Sequence, residues 1–162
     1  MSDNKLTSAV VGGGCFWCTE AIFQEVKGVH KVISGYTGGN APGKPTYREV
    51  CSGLTGHAEV VKIVYDPAVL SYEDLLIIFM TTHDPTTLNR QGPDIGSQYR
   101  SAIFFHGPDQ ETAARASKER QAVSGRFRSP IVTEIVPAAT FWRAEDYHQQ
   151  YFEKRGAARR LF

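Results

Sequence analysis

Short apolar runs alternate with turn-rich stretches along this chain, and the spacing of the apolar positions predicts a mixture of strands and helices. Runs rich in Val, Ile and Tyr predict five strands, at residues 6–11, 29–36, 58–65, 99–105 and 131–136. Glycine or proline residues bound most of these runs, which is typical of strands that end in tight turns.

Apolar positions at helical spacing predict three helices between the strands. The first begins at Phe16 and ends near Gly28. The second begins after the capping hydroxyl of Ser71 and ends near residues 83–85, where a proline disfavours further helix. The third spans 108–124 and has a proline in its first turn.

The remaining stretches predict loops and a less regular C-terminal part. Residues 37–45 are rich in glycine and proline, and residues 85–98 show no apolar periodicity. Loops of this length in compact domains are usually functional or disordered, so both are candidate parts of a site. Residues 141–152 are expected to form a short helical or irregular segment, followed by a basic tail at 154–162.

The order of the predicted elements indicates the fold class. The first six are strand, helix, strand, strand, helix and strand, which is the split β-α-β pattern of ferredoxin-like folds. We therefore expect an α+β fold, a two-layer sandwich with a mixed sheet, helices largely on one face and extended loops. The 162 residues are expected to form one catalytic domain, 1–162, with flexible ends at about 1–6 and 154–162.

Charge and composition exclude several classes of partner. The 18 Lys and Arg residues nearly balance 17 Asp and Glu, giving a net charge of +1 that does not favour nucleic acid or an anionic membrane. No apolar run approaches the roughly 20 residues of a membrane span, and the first residues lack the apolar core of a signal peptide, so we expect a cytoplasmic protein. Its three cysteines are too few for a disulfide framework.

The strongest candidate for chemistry is the cysteine that follows the glycine run at 12–14. The helix dipole and unpaired backbone N–H groups lower the pKa of a cysteine at a helix start, so we expect Cys15 to be a reactive thiolate. Phe16 and Trp17 offer an apolar wall beside it, and Cys18 completes a C-x-x-C pair. The residues therefore point to a nucleophilic thiol.

Other interpretations of this motif remain open on the residues alone. A thiol–disulfide oxidoreductase of the thioredoxin type also carries C-x-x-C at a helix start. A zinc-held interaction module would use Cys15, Cys18, Cys51 and His57, but later zinc ligands usually come as a second close pair. A dinucleotide site is excluded because Trp17 stands where the third glycine is needed. We predict no metal site.

Polar candidates occur beyond the cysteine pair. Glu59 lies where a loop becomes an apolar strand, so burial is expected to raise its pKa towards a value useful for donating protons. Asp94 and Tyr99 lie in or just after the long loop, and Tyr47 follows the glycine- and proline-rich loop. Cys51, in a stretch interpreted as a strand, is expected to be buried and inert.

Four histidines have no companions at metal or catalytic spacing. We therefore expect them to be structural or exposed; they are His30, His83, His106 and His148.

An ordered set of motifs resembles the A-type peptide methionine sulfoxide reductases. The motifs are GCFW at 14–17, GYTGG at 35–39, PTYREVCSG at 45–53, TGHAE at 55–59, HDP at 83–85 and QYRS at 98–101. The resemblance covers about 8–152 and is far more specific than C-x-x-C alone. It implies an enzyme that reduces the S epimer of methionine sulfoxide, free or in proteins, to methionine.

The resemblance also implies roles for individual residues. Cys15 would be the nucleophile, and Phe16 and Trp17 would hold the substrate methyl group. The side chains that would surround the sulfoxide oxygen are Tyr47, Glu59, Asp94 and Tyr99. Because a sulfoxide sulfur is electrophilic only when its oxygen is protonated or strongly hydrogen-bonded, Glu59 is the expected proton donor. No bound cofactor is expected, and the protein is expected to be a monomer.

The cysteine pattern departs from a common form of this family. Many members carry glycine after the tryptophan and place recycling cysteines near the C-terminus, whereas this chain has Cys18 there and no cysteine after Cys51. Attack on a sulfoxide leaves a sulfenic acid on Cys15, which a second thiol must condense with before it oxidises further. We expect Cys18 to resolve it as a Cys15–Cys18 disulfide that thioredoxin reduces.

Overall fold

The computed structural model describes residues 5–155 of the chain. The ends expected to be flexible, 1–6 and 154–162, lie outside the described residues except at positions 5, 6, 154 and 155. Within the described range no helix combines the length and the apolar character needed to cross a bilayer.

A six-stranded mixed sheet forms the centre of the fold. Its strands are β1 (Thr7–Gly12), β2 (Val29–Thr37), β3 (Ala58–Tyr65), β6 (Ala102–Phe105), β7 (Glu134–Pro137) and β8 (Trp142–Arg143), and the short hairpin strands β4 (Arg90–Gln91) and β5 (Asp94–Ile95) pair separately. The spatial order is β7-β6-β1-β3-β2-β8. Only the β6–β7 pair of this sheet is parallel in the described structure.

Five α-helices connect and cover the strands in the described chain. They are α1 (Phe16–Gln24), α2 (Tyr47–Cys51), α3 (Tyr72–Thr81), α4 (Gly107–Ala122) and α5 (Tyr151–Arg155). Phe23 of α1, Leu75 of α3 and Ala114 of α4 are fully buried in one hydrophobic cluster together with β-strand residues. These helices therefore pack on the same face of the sheet.

Alternate residues of the central strands serve the two faces. In β3, Val61 and Ile63 point into the large cluster under the helices, whereas Val60 belongs to a smaller cluster on the other face. Partly buried Val136 and Phe141 pack against that smaller cluster. Because both faces are covered, β3 reads as an almost continuous apolar run.

The predicted α+β class with a mixed sheet is confirmed. Strand β3 lies between β1 and β2 and is antiparallel to both, with helix α1 joining β1 to β2. This arrangement is compatible with a ferredoxin-like core. The edge strands β7 and β8 extend that core on its two sides.

The interpretation of the stretch containing Cys51 as a strand is wrong. Thr46 and Glu49 form a capping box: the Thr46 side chain accepts from the Glu49 backbone N–H, and the Glu49 carboxylate accepts from the Thr46 N–H. Helix α2 follows, and its last residue, Cys51, is exposed rather than buried. Local capping outweighs the strand propensity of a short stretch with only one buried side chain, Val50.

Other differences concern the boundaries of the elements. The loop at 85–98 contains the β4–β5 hairpin, and Tyr99 closes a 3₁₀ turn, Ser97–Tyr99, so that strand β6 begins only at Ala102. The strand expected at 131–136 lies at Glu134–Pro137. The predicted irregular segment at 141–152 contains β8, a 3₁₀ turn and the start of α5.

Candidate active site

Cys15 lies at the N-cap of the nine-residue helix α1, directly after strand β1 and its glycine run. Gly14 has φ +100°, which favours glycine, and a Cβ at Gly13 would lie 2.9 Å from the ring of His83. His83 is held in turn by Phe79 O and Ser101 Oγ, at 2.6 and 2.7 Å. The turn that presents the thiol is thus packed against a fixed imidazole.

Glu59 approaches the start of α1 from β3. Its side chain has the same strand parity as Val61, so it points towards the helices, and it is only 1% exposed. The backbone N–H of Phe16 donates to Glu59 Oε1 at 3.1 Å, whereas Oε2 has no hydrogen-bond partner. A buried carboxyl with one free oxygen therefore lies beside the residue that follows Cys15.

Burial raises the pKa of Glu59 to about 8. The Phe16 N–H opposes this shift, and the negative charge of Asp94 adds to it. At neutral pH the side chain is mostly an uncharged acid, so its free oxygen can donate a proton to a group bound next to Cys15.

The two thiols at the start of α1 affect each other's pKa, in a direction opposite to that expected for Cys15. The pKa of Cys15 is raised, not lowered, because its S–H is hydrogen-bonded to Cys18 and because the site is buried. The pKa of exposed Cys18 is lowered to about 7 by the same hydrogen bond. Of the two thiols at the helix start, Cys18 is therefore the one that loses its proton more readily.

An aromatic cluster lies on the other side of these thiols. Its members are Phe16, Trp17, Tyr47, His148 and Tyr151. Trp17 stacks on Tyr151 with ring centroids 3.7 Å apart, and its Nε1–H donates to His148 Nδ1 at 2.9 Å. Because His148 accepts through Nδ1 and burial lowers its pKa, the neutral ring carries its proton on Nε2. The indole plane is therefore fixed at both its face and its edge.

Tyr47 is positioned from two directions. Its backbone N–H donates to Glu145 Oε2 at 2.9 Å, and the hydroxyl of Tyr36 donates to Glu145 Oε1 at 2.8 Å. The Tyr47 hydroxyl is hydrogen-bonded to Cys51, and burial together with this bond raises the pKa of Tyr47. The phenol is therefore uncharged and keeps its proton at neutral pH.

Tyr99 and Asp94 complete the polar side of the site. The pKa of Tyr99 is raised by burial and then by the nearby charges of Glu59, Cys51, Asp94 and Cys15, so its hydroxyl lies within electrostatic reach of all four. Asp94 lines the same cavity as Cys15 and Cys18. The structure thus brings together all eight residues named from the sequence.

The C-terminal segment, residues 141–155, contributes partners that sequence reasoning missed. Buried Glu20 of α1 accepts from the Gln150 backbone N–H at 3.0 and 2.9 Å. The Gln149 side chain pairs with both backbone groups of Ser34, at 3.0 and 2.9 Å. These bonds hold His148 and Tyr151 against Trp17.

The burial of two polar residues in this segment was not predicted. His148 and Gln149 are buried although they follow no apolar periodicity, and polar residues with that burial need specific partners. His148 was expected to be structural or exposed; it is fully buried and contacts the rings of the site. The partner of its Nδ1, Trp17, lies 131 positions away, so sequence spacing could not reveal this contact.

The described residues include no cluster of three or more His, Cys, Asp or Glu side chains arranged to hold a metal ion. The four side chains considered for zinc, Cys15, Cys18, Cys51 and His57, are not gathered at one point. His57 Nδ1 instead accepts from the Gly39 backbone N–H at 3.0 Å.

Comparison with known proteins connects this geometry to one family. The chain matches the model of a family described as peptide methionine sulfoxide reductase over residues 7–161. It is 62% identical over 152 residues to the peptide methionine sulfoxide reductase MsrA of Geobacter metallireducens, which covers 94% of this chain and 93% of that protein.

Solved structures agree with the sequence matches. Mxr1 from Saccharomyces cerevisiae in reduced form has a TM-score of 0.88 at 34% identity, covering 96% of this chain and 88% of the yeast chain. Mxr1 in complex with Trx2 shares the fold with a TM-score of 0.65 at 24% identity, covering 93% and 87%.

Proposed function

Since this chain belongs to the peptide methionine sulfoxide reductase family, we propose that Cys15 and Glu59 act on the sulfoxide of methionine from two sides, as nucleophile and proton donor. The protein is an oxidoreductase that reduces methionine sulfoxide with thiols. The assignment of these roles rests on the state of Glu59. This buried acid is mostly uncharged at neutral pH, and its Oε2 has no hydrogen-bond partner.

The first step transfers oxygen from the substrate to Cys15. Neutral Glu59 donates its proton to the sulfoxide oxygen, which makes the sulfoxide sulfur electrophilic. The Cys15 sulfur attacks as its own proton passes to the Cys18 thiolate beside it. The bond between the substrate sulfur and its protonated oxygen breaks, the hydroxyl passes to Cys15 Sγ, and methionine leaves with the electron pair of the new Cys15–substrate bond. Cys15 becomes a sulfenic acid.

The second step forms a disulfide. The Cys18 sulfur attacks Cys15 Sγ, the S–O bond of the sulfenic acid breaks, and the oxygen leaves as water after taking up a proton. Cys18 lies three residues after Cys15 and donates its backbone N–H to Cys15 O at 3.1 Å, so both sulfurs lie on one helical turn. An external dithiol then restores both thiols.

The site distinguishes the two epimers of the sulfoxide because each of the three substituents on sulfur has its own direction: two are held by the protein and the third points to solvent. Phe16 and Trp17 offer an apolar pocket for the methyl group, while Glu59, Tyr47 and Tyr99 offer hydrogen-bond donors to the oxygen. The remaining chain of the substrate must point to solvent. Only one configuration at sulfur satisfies these constraints with the sulfur facing Cys15, and we assign it as S from the family resemblance.

The deciding experiment compares separated S and R epimers. We expect the protein to reduce S-methionine sulfoxide, free and in a peptide, with dithiothreitol as reductant, and to leave the R epimer unchanged. Reduction of insulin disulfides serves as the comparison, since a thioredoxin-type enzyme would catalyse that reaction and ignore both epimers. Reduction of both epimers at equal rates would contradict the three-substituent pocket.

Replacement of the resolving thiol separates the two steps. We expect Cys18→Ser to release about one methionine per protein, more slowly than the wild type because the proton acceptor of Cys15 is lost, and then to stop. Rapid-quench counting of methionine measures the first turnover, and mass spectrometry detects the sulfenic acid. In the oxidised wild type, peptide mapping should show a Cys15–Cys18 link. A Cys15–Cys51 link would show that Cys51, and not Cys18, condenses with the sulfenic acid on Cys15.

The hydrogen bond at the indole edge tests the methyl pocket. His148→Phe keeps a ring but removes the acceptor of Trp17 Nε1, and we expect KM for S-methionine sulfoxide to rise about tenfold, the loss of roughly one hydrogen bond's worth of binding. The chemical step should change much less. The matched control is Tyr147→Phe, at the exposed neighbouring position; equal KM values in the two variants would show that His148 does not position Trp17.

Thioredoxin is the proposed physiological reductant. The yeast protein of similar fold is known in a complex with Trx2, and Cys18 is exposed to an incoming protein thiol. Every side chain of the proposed mechanism comes from one chain, in keeping with a monomer. All three cysteines are free thiols, and we place the enzyme in the cytoplasm because that compartment keeps thiols reduced.

A further inference from the structure

Cys15 and Cys18 also line a cavity of about 260 Å³ to which no ring of the aromatic cluster contributes. Its walls come from α1, from the end of α3 and from the β4–β5 hairpin; Ile22 and Phe79 supply apolar surface and Thr82 lies at the exposed rim. Pockets for drug-sized ligands usually measure about 300–1,000 Å³, so this one fits a small molecule or a single side chain. The thiol pair therefore borders a cavity that is separate from the rings of the aromatic cluster.

The charges of the cavity wall have one sign. Asp94 is the carboxylate in the wall, and its charge reaches the Cys18 sulfur. His83 is neutral because burial lowers its pKa and both of its ring nitrogens are hydrogen-bonded. The described lining holds no Lys or Arg. An anionic molecule would enter against Asp94, whereas a neutral or cationic one would not.

We propose that this cavity is the entry site for the reducing thiol, and that it admits small neutral or cationic thiols in preference to anionic ones. This inference rests on the proposed function, because it concerns the Cys15–Cys18 disulfide. The two substrates then approach from different directions. The sulfoxide reaches Cys15 from the side of Phe16 and Trp17, and the reductant reaches the Cys15–Cys18 disulfide through the cavity.

The exchange step is a displacement at Cys18. A thiolate in the cavity attacks Cys18 Sγ, which is the exposed sulfur, and forms a mixed disulfide. The Cys15–Cys18 bond breaks, and Cys15 takes its electron pair and a proton from neutral Glu59. A second thiol then attacks the reductant's sulfur in the mixed disulfide, which releases Cys18. Two thiols are oxidised to one disulfide, and the protein disulfide is reduced to two thiols.

The charge preference is tested on wild-type protein oxidised beforehand with diamide. The probes are cysteamine, β-mercaptoethanol and 3-mercaptopropionate, with each rate divided by its rate on a small reference disulfide at the same pH. We expect cysteamine to exceed 3-mercaptopropionate by about tenfold after this correction, and Asp94→Asn to reduce that ratio about threefold. Corrected rates that are equal for the three thiols would overturn the proposal.

Two neighbouring threonines provide a matched test of entry. Thr81 and Thr82 are both exposed, and the hydroxyls of both donate to Ile78 O, but only Thr82 lines the cavity. We expect Thr82→Trp to slow reduction of the diamide-formed disulfide by β-mercaptoethanol about tenfold, and Thr81→Trp to stay within about twofold of the wild type. Equal rates in the two variants would refute entry through the cavity.

A parallel assay keeps this result separate from the proposed function. Single-turnover reduction of S-methionine sulfoxide by pre-reduced Thr82→Trp should match that of the wild type, because that step uses the aromatic side. If Thr82→Trp reduces sulfoxide normally and its disulfide is reduced by thiols as fast as that of the wild type, the proposed function stands and the cavity is not the entry site. Slowed exchange in a protein that cannot reduce sulfoxide supports the cavity and overturns the proposed function. Failure of diamide to form a Cys15–Cys18 disulfide overturns the cavity proposal.

Discussion

Cys15→Ser should lower the turnover of S-methionine sulfoxide by more than about a thousandfold. A serine hydroxyl is a far weaker nucleophile than a thiol and cannot form the sulfenic acid that stores the transferred oxygen. The substitution only replaces the Cys15 sulfur with oxygen. Because serine is favoured at a helix N-cap, the fold should be retained. Methionine production measured by chromatography gives the rate, and circular dichroism checks folding.

The control for this loss is another thiol of the same site. Cys51 lies at the end of α2, exposed and hydrogen-bonded to the Tyr47 hydroxyl, and a serine there retains an acceptor. Cys51→Ser should therefore keep the turnover within about twofold of the wild type. A Cys15→Ser variant that still produces methionine in several turnovers would assign the nucleophile to a different residue.

Glu59→Gln should slow the single-turnover reduction of sulfoxide by about a hundredfold, at the low end of the usual value of general acid catalysis. The amide keeps the shape of the side chain and can still accept from the Phe16 N–H, but it cannot transfer a proton. Its N–H₂ group can still hydrogen-bond to the sulfoxide oxygen, which is why some rate remains. Alkylation of the cysteines should proceed, and undiminished single turnover would remove Glu59 from the acid role.

The pH dependence of the wild type should carry the signature of Glu59. Its folded-state pKa of about 8 lies well above the ordinary value of 4.5, so the acid required for catalysis is lost as pH rises through about 8. The alkaline decline in the rate of sulfoxide reduction should follow that titration and be absent in Glu59→Gln. A profile that falls at the same pH in both proteins would assign the decline to another group.

The same carboxyl also links stability to pH. Because the folded pKa is raised, the uncharged acid favours the folded state at low pH, and this contribution is lost as pH rises from about 4.5 to about 8. The Tm of Glu59→Gln relative to the wild type should therefore increase between pH 6 and pH 9. The wild type retains a destabilising buried acid at the position where the proposed chemistry needs a proton.

The residues adjacent to Cys15 were predictable because their signals are local. The glycine run, the aromatic pair and the second cysteine follow one another within one turn, and helix α1 begins at the predicted residue, Phe16. Glu59 was predictable because a carboxylate inside an apolar strand must be buried. The α+β class with a mixed sheet followed from the chain order of six elements whose apolar spacing is regular.

The state of the thiols was not predictable from the same local signals. A helix start favours a thiolate, but the hydrogen bond to Cys18 and burial raise the pKa of Cys15, while the same hydrogen bond lowers the pKa of Cys18. These opposing effects depend on which groups from distant strands come close. The error at Cys51 has a local cause. The capping box of Thr46 and Glu49 starts a short helix in a stretch whose side chains have strand propensity, and Cys51 ends that helix.

The roles of Glu145 and His148 could not be predicted because no local sequence pattern indicates them. Glu145 joins the hydroxyl of Tyr36 to the backbone of Tyr47, and His148 accepts from Trp17, across long separations in sequence. Each is a polar residue in a segment without periodicity. Only the tertiary structure shows that they complete the site.

The hydrogen bonds between α1 and the C-terminal segment determine when the pocket can form during synthesis of the protein. Trp17 and His148 are 131 residues apart, and Glu20 and Gln150 are 130 apart. A ribosome produces the chain from the N-terminus, so Cys15 emerges long before the residues that fix the indole beside it. The nascent chain therefore carries its thiols without a finished pocket until His148 and Gln150 have been made.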